Sequence, residues 1–307
     1  MRSWAVILAG GDGKRLLPLT RLISRDDRPK QFCAIFRGQT LLDQTWARIR
    51  PVFDPERTVF SLVEAHEPYY ATELAGVAAS RMVIQPSNKG TTAAILSSVL
   101  RILRSDFDPV IAFFPADHYY SDDAGLIDAV HSAIRAVEQR PASLILLGAE
   151  PRYPEIEYGW IERGAPLKTC RGELFHVNRF WEKPARDTAQ RLLERGCLWN
   201  TFVMIGRARV FLAAILAKLP HLRSVLDRML ARGVDFHDRL PHLYATLAAS
   251  DFSHQVLADS TDRLSVLRLA GSDWDDLGKP ERVLATMARE GTFREAPELV
   301  AISRGAS

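Results

Sequence analysis

The chain has 307 residues, 47% hydrophobic and 25% charged, which excludes a disordered polymer and is long enough for one large α/β domain or two ordinary ones. Its net charge of +3 is spread without any basic run, so no nucleic-acid tail is expected, although the excess suits a small anionic ligand. The apolar start WAVILA is too short for a signal peptide and leads into GDGKR, and no segment approaches the roughly 20 apolar residues of a membrane span, so a cytoplasmic protein without a membrane partner is expected.

Short apolar runs of strand length alternate with helical periodicity through the first half. WAVILAG precedes a loop and the helical TLLDQTWARI; RTVFSLV precedes HEPYYATELAGVA; RMVI precedes TTAAILSSVLRIL; PVIAFF precedes AGLIDAVHSAIRAVEQ; and SLILLGA follows. Strands that are apolar throughout and alternate with helices predict a parallel sheet covered on both faces. The second half changes character. YGWIERG and GELFHVNRFWEKP read as strands with aromatic alternation, and ARDTAQRLLERG as a helix ending at Gly196. CLWNTFVMI reads as a strand, residues 207 to about 250 as a helical stretch, and LSVLRL with WDDLGKPERVLATMARE as a closing strand, loop and helix. No repeat or linker interrupts the chain. One domain over 1–290 with an elaborated second half, followed by a tail at 291–307, is expected, a division near Pro151 being the alternative. Cys33, Cys170 and Cys197 lack metal-ligand spacing and read as reduced thiols.

In open α/β sheets, ligands bind beyond the carboxyl ends of strands, and four clusters stand there. The loop AGGDGKRLLPLT fits neither a P-loop, which would need glycine at Leu8 and Ser or Thr at Arg15, nor a dinucleotide fingerprint, which would need glycine at Leu16. Gly10, Gly11 and Gly13 nevertheless let backbone N–H groups approach an anion, and Lys14 and Arg15 add charge, so phosphate is favoured over a plain turn. Asp117, just after PVIAFF, stands where a carboxylate holds Mg²⁺ beside phosphates, or caps a helix. Asp122 and Asp123 fit the capping role better, and His118 reads as satisfying a local hydrogen bond. Glu182 and Lys183 before Pro184 set a cation beside a carboxylate, able to clamp a phosphorylated sugar or simply to face solvent. Asp273, Asp275 and Asp276 around Trp274 are a second metal contact or a polar turn.

Taken in order over residues 3–285, LAGGDGKRLLPLT, RPKQF, QPSNKGTTAAI, FFPADHYY, YGWI, FWEKP, LWNTFVM and WDDLG resemble the sugar-nucleotidyltransferase family, most closely its mannose-1-phosphate guanylyltransferase branch. The resemblance implies a Rossmann-like mixed, mostly parallel sheet with helices on both faces, the nucleotide-diphospho-sugar transferase fold. It implies nucleotidyl transfer from a nucleoside triphosphate, expected to be GTP, to a sugar 1-phosphate, expected to be mannose 1-phosphate, with Mg²⁺ as cofactor. The sugar phosphate oxygen attacks the α-phosphorus in line and pyrophosphate leaves. That nucleophile is already ionised, so no general base is needed, and no Ser-His-Asp arrangement is found.

Carried over by residue, the resemblance puts Gly10, Gly11, Gly13, Lys14, Gln85, Gly90 and Thr91 on the nucleotide. Arg15 and Lys30 would assist the phosphates, and Asp117 and Asp276 would hold Mg²⁺. Lys183 would take the sugar phosphate, with Gly159, Glu182 and Asn200 lining the sugar pocket. The Gln85 amide offers both a donor and an acceptor and so does not choose the base. A homodimer stays open. Several positions depart from the family pattern: Lys14 replaces Thr, Leu17 replaces Trp, and Phe202 and Glu157 replace glycines. DFSHQVLA echoes a late family segment and leaves Ser253 and Ala258 where sugar-contacting carboxylates are expected. Alternatives are thymidylyl or uridylyl transfer to glucose 1-phosphate, a nucleotide-sugar-binding regulatory relative, and a P-loop kinase; RPKQF favours GTP and mannose. No additional isomerase or β-helix domain is expected.

Overall fold

The computed structural model describes residues 3–167, 174–231, 233 and 235–291. Cys170 and nearly all of the expected tail lie outside these residues. Eleven strands are described: β1 (Ser3–Leu8), β2 (Thr58–Val63), β3 (Met82–Gln85), β4 (Val110–Pro115), β5 (Tyr119–Tyr120), β6 (Leu144–Ala149), β7 (Gly159–Leu167), β8 (Leu174–Glu182), β9 (Leu198–Arg207), β10 (Leu264–Leu269) and β11 (Trp274–Asp275). Nine form one sheet in the order β3-β2-β1-β4-β9-β6-β10-β8-β7, and β5 pairs with β11 in a separate ribbon.

Every residue of β2, β4 and β6 is buried, as expected for strands covered on both faces. Alternation along β1 and β4 divides the core. Ala5, Ile7, Ala112 and Phe114 face one apolar cluster, with Leu42 and Val130 from the helices Leu41–Ile49 and Asp123–Gln139. Val6, Ile111 and Phe113 face the other, with Ile95 and Phe211 from the helices Thr91–Leu103 and Ala208–Lys218.

The sheet is mixed, and its antiparallel part is larger than the strand–helix alternation implies. β3, β2, β1 and β4 run parallel, as do β6 and β10. Between them lies β9, antiparallel to both β4 and β6, and β7 and β8 pair antiparallel at the far edge. The stretch from 207 to 250 is three helices rather than one, Ala208–Lys218, Arg223–Leu230 and Phe236–Thr246, with Pro220 opening the turn after the first. In HEPYYATELAGVA only Glu67–Tyr70 is α-helical. Beyond it Ala75 and Val77 make tighter three-residue turn bonds to Thr72 and Leu74. Asp122 caps its helix as expected, accepting from the Gly125 N–H at 3.0 Å.

Strand register positions the site. Leu8 of β1 lies beside Pro115 of β4, so the glycine loop and Asp117 leave the sheet side by side. Gly159 of β7 lies opposite Glu182 of β8, while Gly148 of β6 lies opposite Asn200 of β9. In the small ribbon, Asp275 lies opposite Tyr119, which draws the WDDLG loop against the chain just after Asp117. Phe113, fully buried and edge-on to Phe211 at 4.9 Å between centroids, joins the central strand to its covering helix. Phe113→Ala is expected to cost about 3–5 kcal/mol, read as a lowered urea midpoint with an unchanged slope.

Candidate active site

A cavity of about 400 Å³ opens at the carboxyl ends of β1 and β4. One end is the glycine loop, where Gly10, Gly11 and Arg15 line the wall. Gly10 has no room for a side chain, since a Cβ would stand 2.9 Å from Gln85 Nε2. The loop is braced from RPKQF: Gln31 Nε2 donates to the Ala9 and Gly11 carbonyls at 2.9 and 2.8 Å. Gly13, at φ +60°, packs against the backbone of Pro29 and Lys30. Gly90, at φ +82°, carries the loop past Ser250, whose carbonyl oxygen a Cβ would meet at 2.2 Å. Thr91 starts the helix Thr91–Leu103, and its hydroxyl accepts from the Phe252 N–H at 2.8 Å.

Two residues of this group are placed differently from their expected roles. Lys14 is largely exposed and pairs with Asp12 at 3.5 Å, outside the cavity lining. Gln85 does line the cavity, yet its amide is engaged at both ends, donating to Ser61 Oγ at 3.0 Å and accepting from the Tyr244 hydroxyl at 2.8 Å. It shapes the floor of the cavity.

At the centre, Asp117 and Asp276 both face the cavity. Lys30 lies beneath them, nearly buried, its ammonium 3.2 Å from Asp117 Oδ2 and donating to the Asp276 backbone carbonyl. Arg282 approaches Asp276 Oδ1 at 2.9 Å and stacks over the Tyr158 ring at 4.7 Å. Burial alone would raise the Asp276 carboxyl, but Lys30 and Arg282 outweigh it and hold that group below the usual carboxylate range. The Tyr158 hydroxyl donates to Asp276 Oδ1 at 3.3 Å. His118 is neutral: burial pushes it down to about 4, and its Nδ1 accepts from the Trp274 indole at 3.2 Å. It therefore satisfies a local hydrogen bond, as its isolation in sequence suggested.

The far end holds Gly159, Glu182, Lys183 and Asn200, all lining the same cavity. A Cβ on Gly159 would stand 3.0 Å from Glu182 Oε2 and 3.3 Å from the Asn200 Cβ, so glycine keeps these two side chains close. Lys183 Nζ lies 3.4 Å from Glu182 Oε1, with its own backbone at φ +46°. Burial raises the Glu182 carboxyl, the nearby Asp251 adds to the rise, and Lys183 opposes it.

Arg15, Asp117, Asp276, Glu182, Lys183 and Asn200 thus meet around one cavity, with Lys30 bridging two of them from below. Sequence reasoning missed Arg282, which is one arginine among many and sits in an ordinary helix pattern. It also missed the pairing of Glu157. That carboxylate reaches Arg15 Nη1 at 2.7 Å and Lys279 Nζ at 3.2 Å, tying the two cations together. Asp251 and Ser253 also line the cavity, and the segment DFSHQVLA was the only signal for them.

The geometry agrees with what the chain is similar to. The family model described as nucleotidyl transferase matches residues 4–290. The xanthan biosynthesis protein XanB of Xanthomonas campestris pv. campestris (strain B100) is 30% identical over 292 residues, covering 93% of this chain and 60% of that protein. A mannose-1-phosphate guanylyltransferase of Escherichia coli is 28% identical over 295 residues, with the same coverage of 93% and 60%. The chain therefore spans about 60% of the length of these curated relatives. A crystal structure described as a mannose-1-phosphate geranyltransferase from Thermus thermophilus superposes with a TM-score of 0.79 at 30% identity, covering 92% of this chain and 79% of that one. A UDP-glucose pyrophosphorylase structure, with a TM-score of 0.58 at 15% identity over 95% of this chain and 99% of that one, shares the fold. With a family match over nearly its whole length and the motif residues gathered at one cavity, the chain belongs to the nucleotidyl transferase family.

Proposed function

We propose that the chain transfers the nucleotidyl group of GTP to mannose 1-phosphate, releasing pyrophosphate, in the cytoplasm and without a nucleic-acid or membrane partner. The observation that carries this reading is the arrangement of one cavity: a glycine loop with Arg15 at one end, Asp117 and Asp276 at the centre, and Glu182, Lys183 and Asn200 at the other. The mannose-1-phosphate guanylyltransferase of Escherichia coli to which the chain is similar supports the sugar and the base.

In this reading the triphosphate lies along the Gly10–Gly11 backbone, where N–H groups and Arg15 neutralise its oxygens. Lys183 receives the phosphate of the sugar, and Glu182 and Asn200 take hydroxyls. The sugar phosphate oxygen forms a bond to the α-phosphorus as the bond to pyrophosphate breaks. No proton need be removed, so catalysis rests on alignment and on charge held ready around the α-phosphoryl oxygens.

Asp117 and Asp276 suit Mg²⁺ by their chemistry. Both are oxygen ligands facing the cavity, and Asp276 is held ionised. Among the described residues no group of three or more His, Cys, Asp or Glu could hold a metal. A pair of carboxylates that leaves the other positions to phosphate oxygens fits the preference of Mg²⁺. When bound, the ion would neutralise charge on the phosphates.

Pyrophosphate release across a grid of nucleoside triphosphates and sugar 1-phosphates, with Mg²⁺ present, is expected to peak at GTP with mannose 1-phosphate. A maximum at dTTP or UTP with glucose 1-phosphate would reassign both substrates. Asp117→Asn is expected to lower turnover by a factor on the order of 100 or more with an unchanged circular dichroism spectrum. Turnover at the wild-type rate would remove Asp117 from the reaction.

Glu182 makes a prediction of opposite sign for stability. Its carboxyl binds a proton more tightly folded than unfolded, so its stabilising contribution is full below the unfolded value of about 4.3 and is lost as pH rises through the folded value. Glu182→Gln is therefore expected to unfold at an equal or higher urea concentration than wild type at pH 7, the gap closing near pH 4. The same variant should raise KM for the sugar 1-phosphate about tenfold while leaving KM for the nucleotide nearly unchanged.

A further inference from the structure

Phe202 is held where a bulky side chain is costly. Its φ is +61°, in the left-handed region that favours glycine, yet it lies inside β9 rather than in a turn. The neighbouring strand explains how this is imposed. Between Leu146↔Met204 and Gly148↔Asn200 the β6–β9 register slips, so β9 carries two more residues than β6 across the same span. Side chains fix the resulting bulge. The Phe202 N–H donates to Asn200 Oδ1 at 3.1 Å, and the Thr201 hydroxyl donates to the Leu147 carbonyl at 2.8 Å while accepting from the Val203 N–H at 3.3 Å.

The bulge leaves Phe202 lining the cavity beside Asn200, at the end that also holds Glu182 and Lys183. The ring is partly buried against the apolar cluster under the helices Thr91–Leu103 and Ala208–Lys218. Two other cavity aromatics are committed elsewhere, the Tyr158 hydroxyl to Asp276 and the Trp274 indole to His118. The Phe202 ring is instead an apolar wall in a chamber whose other walls are Glu182, Asn200, Asp251 and Ser253. A ligand that meets both kinds of wall has hydroxyls on its edge and carbon-bound hydrogens on a face, which describes a pyranose ring.

We propose that Phe202 determines sugar specificity: it packs against the C–H face of the pyranose 1-phosphate while Glu182 and Asn200 take the hydroxyls. This deepens the nucleotidyl-transfer reading and rests on it. Selection then depends on which sugars present an unobstructed C–H face to the ring when their phosphate is held by Lys183. An epimer whose hydroxyl points at the ring would leave that hydroxyl without a partner, a larger penalty than a missing methylene.

The test compares wild type with Phe202→Gly, which suits the left-handed backbone, and Phe202→Leu, which keeps an apolar wall without a flat face. Pyrophosphate release is measured with mannose, glucose and galactose 1-phosphates at saturating nucleotide. Calorimetry measures binding of GDP-mannose and of GDP. Phe202→Gly is expected to lose about tenfold in kcat/KM for the preferred sugar, its preference over the next sugar falling towards one, with KM for the nucleotide changed less than about twofold. Phe202→Leu should fall between. An unchanged preference in both variants, or equal losses for nucleotide and sugar, would overturn the assignment. If wild type turns over none of these sugars, the transferase reading fails and calorimetry decides the wall. GDP-mannose binding weakened about tenfold with GDP binding unchanged upholds it, and equal binding in wild type and both variants overturns it.

Discussion

The Lys30 ammonium is the constraint from which the rest of the site follows. A lysine taken almost wholly out of water is stable only if opposite charge and acceptors close around it, and Lys30 has Asp117 and the Asp276 carbonyl. These partners come from chain positions 30, 117 and 276. Two consequences follow from this closure. The segment RPKQF is held beside the chain that leaves the first and fourth strands, which puts Gln31 where it can brace the glycine loop. The WDDLG loop must return to the centre of the sheet, which the β5–β11 ribbon accomplishes. Leaving a buried lysine without its carboxylate costs about 3–5 kcal/mol, so the RPKQF segment and the chain at Asp117 support each other.

Around that charge centre the second requirement is rigidity, supplied by rings. Tyr158 from YGWI, Trp199 from LWNTFVM and Trp274 from WDDLG pack on one another, with centroid separations of 5.1, 4.8 and 6.4 Å. Aromatic pairs add roughly 0.5–1.5 kcal/mol each beyond the area they bury. Their greater effect here is geometric, because each ring is next to or near a cavity residue: Gly159, Asn200 and Asp276. Six described non-glycine residues have positive φ, and three of them adjoin the same place. Lys183, Phe202 and Leu277 have positive φ without being glycine, and two line the cavity while the third follows Asp276. Such conformations persist only where surroundings over-determine them, which the ring cluster and the β9 bulge do.

Legibility in the sequence followed the range of the interactions. The first-half strands and helices were readable because their apolar periodicity is a local consequence of burial on both faces, and Gly196 or Asp122 marked ends through local backbone chemistry. The antiparallel insertion of β9 was not readable, since nothing within CLWNTFVMI encodes which strands flank it. Among the candidate residues, Arg15, Asp117, Lys183 and Asp276, each announced by a turn or strand end, line one cavity. Lys14 was misleading because a lysine in a glycine loop looks the same whether it faces phosphate or pairs with Asp12 at the surface. Glu157 meets its partner Arg15 from more than a hundred residues away, and Arg282 acts on Asp276 from within an unremarked helix, so neither left a local mark.

Three of the positions that depart from the family pattern, Glu157, Phe202 and Ser253, line the cavity, and each meets a different environment there. At one end Glu157 is paired by Arg15 and Lys279 rather than left alone. Both contacts are partly solvent-exposed, where an ion pair contributes little and opens readily. At the other end Ser253 and Phe202 line the wall beside the carboxylates of Glu182 and Asp251, so hydrogen-bond acceptors and an apolar ring face the same space. The charged centre between these ends has no such freedom. Replacing Asp117 would leave the nearly buried Lys30 ammonium with the Asp276 carbonyl, and replacing Asp276 would take a carboxylate from Arg282, so electrostatics constrains the centre more tightly than either end.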